Sequence, residues 1–312
     1  MLSEPSAPAP PPGPHGGDSW RVAAALGVGA SELLDLSAST NPFAPDVTAT
    51  LRSLLDRHPE LVTRYPDDTT ATRALADALG EDPDRVVLTN GGAEAIALVA
   101  HLEGAGEVCP PEFGLYARHL PRVEPGAPRW RSNPSNPLGR LARDDEQARV
   151  WDEAFFPLAA GRWSRGDRAS WRLGSLTKLW ACPGLRLGYA IAPSPLDAMR
   201  LRDLQPRWSV NALAAAVVPR LLARTDLVGW SKAIASLRAE LSGELRALGF
   251  TVEETDANWI LVHRRDLRAD LLRCSVLVRD CASFGLEDVA RVALPPPQAL
   301  DRVIGAFARV GP

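Results

Sequence analysis

The sequence predicts a large α/β domain followed by a smaller α+β domain. Three observations carry this. "RVVLT", then "NGG", then "AEAIALVAHL" is a strand, a glycine turn and a helix, the unit from which parallel sheets are assembled. "RVWDEAFF", "SWRLGSLT" and "LRLGYAIA" read as buried strands through the middle of the chain. From residue 226 the texture changes to one long amphipathic helix and then the strand candidates "NWILVH", "SVLVR" and "RVAL".

Taken in order, "MLSEPSAPAPPPGP" is a proline-rich, extended, solvated tail with neither the basic start nor the apolar middle of a secretory signal. "HGGDSWRVAAALGV" is a short helix behind a glycine pair, and "ELLDLSASTNPFAP" runs extended into a loop. "TATRALADALG" is helical, and Gly80 suits its stop. In "DLVGWSKAIASLRAELSGELRALGF" the apolar positions Trp230, Ile234, Leu237, Leu241, Leu245 and Leu248 step by three or four and mark one buried face. No internal repeat is visible. The net charge of −3 gives no basic footprint for nucleic acid, and no apolar run approaches the roughly 18 residues of a membrane span. Cys109, Cys182, Cys274 and Cys281 fall in no metal-ligand spacing and read as reduced thiols of a cytoplasmic protein.

The chemistry-bearing residues suit a cofactor with a phosphate, a basic ring nitrogen and an aldehyde. Such a group needs N–H donors at a helix start, a carboxylate to keep the nitrogen protonated, and a lysine to condense with the aldehyde. "NGGAEAI" (90–96) supplies the helix start, Asp152 ends the strand "RVWD", and Lys178 follows "SLT". Arg186 adds a fork-shaped cation for the phosphate. Each piece alone has an ordinary structural explanation: a turn, a cap, a lysine snorkelling to solvent. Their joint order points to the cofactor.

On these residues the chain resembles the fold-type I pyridoxal-phosphate enzymes, in the branch of histidinol-phosphate aminotransferase and threonine-phosphate decarboxylase. "SLTKLWACPGLRLGY" is similar to the branch's lysine motif, "NGGAEAI" to its phosphate turn, "SNPSNPLG" to its "NPxNPTG" signature and "WDEAFF" to its "DEAF". "HGG", "LDLSASTNPFAP", "RWSVNALA" and "VLVRDCASFGLEDVARVAL" resemble the decarboxylase in particular. The likeness runs from His15 to about Leu294. It implies a three-layer large domain with a mostly parallel sheet over 46–205, a small α+β domain over 206–312, an N-terminal arm and substrate lid over 15–45, and a disordered tail over 1–14.

The resemblance implies pyridoxal 5'-phosphate as cofactor, held by Gly92, Ala93 and Glu94 at the phosphate turn with Ser175 and Arg186. It implies Asn136 on the ring O3′, Asp152 on the ring nitrogen, Phe113 stacked on the ring, Lys178 on the aldehyde carbon and Tyr65 from a partner subunit of a homodimer. Arg279 and Arg291 are the expected substrate clamps, since an arginine on an apolar strand is costly without an anion. An ion pair with Asp280 or Glu287 is the alternative for either one. His15 and Gly16 are expected to fold over the substrate phosphate, and Ser39 to face the substrate. The implied reaction is decarboxylation of O-phospho-L-threonine to an aminopropanol phosphate for cobalamin. The alternatives are amino transfer on a phosphorylated amino acid such as histidinol phosphate, or a cofactor-binding partner protein without catalysis.

Two departures stand out. Only 23 positions separate Phe113 from Asn136 and 16 separate Asn136 from Asp152, so strands or covering helices of the large domain are expected to be shortened or lost. Ser39 stands where the decarboxylase typically has asparagine, and Leu138 where threonine is usual.

Overall fold

The computed structural model describes residues 10–13 and 15–312. The rest of the tail expected over 1–14 lies outside them. Pro10 and Gly13 are not simply solvated, because their carbonyls accept from Arg268 and Arg279 at 2.7 and 2.6 Å.

Among the described residues the strands are β1 (Leu34–Asp35), β2 (Val86–Asn90), β3 (Ala105–Val108), β4 (Arg122–Val123), β5 (Arg129–Ser132), β6 (Val150–Asp152) and β7 (Trp171–Gly174). They continue as β8 (Leu187–Ile191), β9 (Thr251–Glu253), β10 (Trp259–His263), β11 (Val276–Leu277), β12 (Arg279–Asp280) and β13 (Val289–Ala293). A seven-stranded sheet has the order β2-β8-β7-β6-β5-β3-β4. All of its neighbours pair parallel except at β8, which runs antiparallel to both β2 and β7. A four-stranded antiparallel sheet, β12-β13-β10-β9, follows in the C-terminal part.

The helices form where the periodicity places them. Thr69–Leu79 ends at Gly80 in the left-handed conformation, as a stop glycine should. Leu227–Ala247 buries Trp230, Ile234, Leu237, Leu241 and Leu245 on one face. Asp46, Asn211 and Asp226 each turn a side chain back to cap the helix they precede.

The strands of the central sheet survive the shortening, so the expectation is corrected toward the helices. The parallel crossover from β5 to β6 contains no helix at all, and residues 124–128 join β4 to β5 as a turn. Side chains cover the sheet there instead. The Arg165 guanidinium lies 4.6 Å from the Trp151 ring and donates to the carbonyls of Arg143, Asp144 and Glu146. Arg131 covers the same indole at 5.8 Å and pairs with Glu146 at 2.8 Å. Hydrogen-bonded guanidinium planes thus do the covering that an apolar helix face does elsewhere.

A second correction concerns "SVLVR", which is not one strand. Val276–Leu277 pairs with β1 in a separate two-stranded sheet, and the chain bends at Val278 before Arg279–Asp280 joins β13. The bend ties the N-terminal arm to the C-terminal sheet and turns Arg279 toward Arg291.

Candidate active site

The carboxyl ends of β5, β6 and β7 open onto a cavity of about 410 Å³, the usual place for a ligand in an open α/β sheet. Its walls include Gly92, Ala93, Phe113, Asn136, Asp152, Ser175, Lys178, Arg186, Arg279 and Arg291, together with His15 and Gly16 from the arm. Of the expected site residues, Glu94, Ser39 and Tyr65 do not line it.

One end of the cavity is built for an anion. The helix Gly92–Glu103 starts behind Gly91, whose φ of +78° a side chain would strain. A Cβ at Gly91 would stand 2.5 Å from Arg186 Nη2, and one at Gly188 would stand 2.5 Å from the Gly91 carbonyl carbon and the Gly92 nitrogen. Bare backbone therefore lets β8 and the Arg186 guanidinium press against the helix start. Ser175, at the end of β7, lies against Gly92 on the other side. First-turn N–H groups, a guanidinium and a hydroxyl converge, which is the donor set a phosphate dianion takes.

Across the cavity Lys178 is partly buried, and its Nζ donates to the Ala38 carbonyl at 2.5 Å. Burial, seconded by the charges of Arg291 and Arg186, lowers its pKa to about 8. Asp152 is buried, and burial raises its pKa while hydrogen bonds and Lys178 pull the other way. The Tyr116 hydroxyl donates to Oδ2 at 2.7 Å and the Ala154 N–H to Oδ1 at 3.0 Å. Among the described residues no Lys, Arg or His forms an ion pair with this carboxylate. Phe113 meets Tyr116 edge-on at 5.8 Å and His15 at the same separation.

Another wall of the cavity carries two arginines. Arg279 and Arg291 are direct partners in the β12–β13 register, so both side chains leave the same face. Arg291 donates to Asn136 Oδ1 at 2.6 Å and to the Ser37 carbonyl at 3.1 Å, while its buried Nε has no partner. Among the described residues its guanidinium therefore engages no carboxylate. Arg279 donates to the Gly13 carbonyl and to Ser283 Oγ, both at 2.6 Å. Gly16 packs on the Ser37 carbonyl too closely for a side chain, and the Gly17 N–H donates to Ser37 Oγ at 2.9 Å.

The three residues outside the cavity have other partners. The Glu94 carboxylate accepts from the Asn90 N–H, Gln205 and Ser209, so it braces the turn from behind. Ser39 is buried at φ +49° with an unpartnered hydroxyl, and its carbonyl accepts from Asn258. Tyr65 is exposed and stacks on Trp208 at 4.4 Å. Sequence reasoning missed Tyr116, Ser132, Phe155 and Glu112. Tyr116 and Glu112 flank the aromatic of "PPEFGLY", and that proximity to Phe113 was the available signal.

Residues 132–307 match the family described as aminotransferase class I and II. The chain belongs to this family. Threonine-phosphate decarboxylase from Salmonella typhimurium is 29% identical over 354 aligned positions, covering 95% of this chain and 96% of that one. Those positions outnumber this chain's 312 residues, so the relative carries segments this chain lacks. A histidinol-phosphate aminotransferase from Rhodospirillum centenum is 26% identical, covering 89% and 92%. Among solved structures, the histidinol-phosphate aminotransferase from Sinorhizobium meliloti in complex with pyridoxal-5'-phosphate matches with a TM-score of 0.70 at 16% identity, covering 88% and 89%.

The fold is that of the fold-type I transferases, and the cofactor of this family is pyridoxal 5'-phosphate. The cavity fits that group. An anion cradle, an amine of lowered pKa and a buried carboxylate without a cation partner are what its phosphate, aldehyde and ring nitrogen require. No helix among the described residues is long and apolar enough to cross a membrane.

Proposed function

We propose that the chain is a pyridoxal-phosphate-dependent carboxy-lyase acting on O-phospho-L-threonine or a close phosphorylated amino acid. The product is (R)-1-amino-2-propanol phosphate for cobalamin biosynthesis, made in the cytoplasm by a homodimer. The carrying observation is the Arg279–Arg291 register pair. Like charges directly opposite on two strands are unfavourable, and a substrate bearing both carboxylate and phosphate offsets that cost on binding. The 29% relative, aligned along nearly the whole chain, supports the same reading.

Bound in the cavity, the cofactor supplies an electron-withdrawing ring that eases bond cleavage at the substrate Cα. Gly92, Ala93, Ser175 and Arg186 would hold its phosphate, and Asp152 would keep a proton on its ring nitrogen. Phe113 and Asn136 would fix the ring, with Tyr65 reaching in from the partner subunit. Arg291 would orient the substrate carboxylate, and Arg279 with His15 and Gly16 would hold its phosphate. The Cα–carboxylate bond breaks, carbon dioxide leaves, and a proton delivered by Lys178 Nζ takes its place on Cα. In this reading 15–45 is the arm and lid, 46–205 the cofactor domain and 206–312 the small domain. Ser39, expected to face the substrate, is buried outside the cavity and takes no part in this reading.

Incubation of the cofactor-loaded protein with O-phospho-L-threonine tests this. The expected result is one carbon dioxide per amine formed, with the cofactor remaining in its aldehyde form. Accumulation of aminated cofactor, discharged by 2-oxoglutarate, overturns it in favour of amino transfer. Sedimentation of a fully active monomer removes the dimer and the role of Tyr65.

A further inference from the structure

Glu112 is a partly buried acid that the reaction above does not use. It lies beneath the cavity, not in its wall, between Pro111 and the ring-facing Phe113. Three donors converge on its carboxylate: the Ser132 N–H at 3.0 Å, the Phe113 N–H at 3.0 Å, and the Ser132 hydroxyl in a short hydrogen bond. The Ser132 oxygen in turn accepts from the Asn136 N–H at 2.8 Å, and Asn136 Oδ1 accepts from Arg291. Phe113, Ser132, Asn136 and Arg291 all line the cavity.

A carboxylate placed here is expensive. It is removed from water, and the charge of Asp152 disfavours it further; burial is the larger of the two effects. Fold stability alone does not call for an acid where a neutral acceptor would bind the same N–H groups. Its distinctive property is accepting three hydrogen bonds at once, and the groups so tied, Phe113 and Ser132, both line the cavity from segments about 20 residues apart. We propose that Glu112 is a positioning residue for the cofactor, setting Phe113 directly and Asn136 through Ser132. The inference rests on the cofactor site and is indifferent to the choice between decarboxylation and amino transfer.

The donor pattern makes the isosteric change informative. In Glu112→Gln one oxygen becomes an NH2 group that faces an N–H or O–H donor, so the segment must shift although the volume is unchanged. The test titrates pyridoxal 5'-phosphate into cofactor-free wild type, Glu112→Gln, Ser132→Ala and the double variant, without substrate. Affinity and the visible absorbance maximum of the bound cofactor are read, with thermal unfolding as the control for folding. Each single variant is expected to bind about tenfold more weakly with a displaced maximum, and the double variant no more weakly than the singles, because the two side chains act as one unit. Wild-type affinity and spectrum in either single variant, or losses that multiply in the double, overturn the proposal. If Glu112→Gln does not fold, Ser132→Ala decides alone, since it removes the acceptor of the Asn136 N–H and leaves two donors on Glu112. A wild-type chain that takes up no cofactor removes both the cofactor assignment and this inference. Equal binding by all four proteins removes only the inference.

Discussion

In the proposed function Lys178 is the residue on which the chemistry turns, and its environment shifts it toward the neutral amine. Burial and the nearby charges of Arg291 and Arg186 lower its pKa to about 8, against the pull of Asp35 and Asp152. The free-base fraction should therefore climb from roughly a tenth at pH 7 to roughly nine tenths at pH 9. Capture of the aldehyde cofactor by the cofactor-free protein, followed by rapid-mixing absorbance, is expected to accelerate five- to tenfold over that interval with a midpoint near 8. A rate still rising with the slope of an ordinary lysine beyond pH 10 would contradict this account of the site. The legibility of this residue in the sequence has a physical basis. Lys178, Arg186 and Ser175 sit within a dozen positions, so one short motif fixes their mutual geometry. Tyr116 and Asp152 are 36 residues apart and Glu112 and Ser132 are 20 apart; no local pattern announces such pairs, which exist only once the segment 112–116 folds onto the ends of β5 and β6.

At the scale of elements, the proposed phosphate cradle depends on how closely β8 approaches the start of the helix Gly92–Glu103. Gly188 is the point of contact, and a Cβ there meets backbone that cannot swing aside as a side chain tip could. Gly188→Ala is expected to destabilise the protein by about 1–3 kcal/mol and weaken cofactor binding at least tenfold. Gly243→Ala is the matched control. It lies inside the helix Leu227–Ala247 with open space around it, and should gain about 0.5–1 kcal/mol from helix propensity alone. Equal effects of the two substitutions in calorimetry and cofactor titration would refute the close-approach argument. The strong periodicities of the two long helices, and the strand–glycine–helix unit at 86–103, were readable because each is satisfied within its own segment. The split of "SVLVR" was not. Both halves are apolar and extended, and only pairing with β1 on one side and β13 on the other separates them. The loss of covering helices was visible as short spacing, but the spacing did not say that Arg131 and Arg165 would cover Trp151 in their stead.

The whole molecule carries the electrostatic cost of this site, and that cost has a pH signature. Burial raises Glu112 to about 7, and it raises Glu153, beneath the same sheet, to about 7 as well. Both ionise near 4.5 when the chain is unfolded, so between these values the native state binds more protons than the unfolded one. Stability from these two groups is therefore complete below pH 4.5 and is lost as pH rises through 7. Lys178 acts in the opposite sense on the alkaline side. With a native pKa of about 8 against an ordinary 10.5, its share is absent below 8 and returns as pH climbs through 10.5. Glu146 sets the acid limit. Despite its burial, the Arg143 N–H and the Arg131 charge hold it below the ordinary value, so its contribution disappears only as pH falls beneath 4.5. The cofactor-free protein should consequently be less stable near pH 7.5 than near pH 5.5, by about 1–3 kcal/mol, or several degrees in Tm. Saturating cofactor should raise Tm more at pH 7.5 than at pH 5.5, because in the proposed function it would engage Lys178 as the amine and place a cation beside Asp152. Calorimetry at the two pH values, with and without cofactor, measures all four terms. A cofactor-free Tm that is flat or rises from pH 5.5 to 7.5 would mean that the buried acids are not held as the structure holds them.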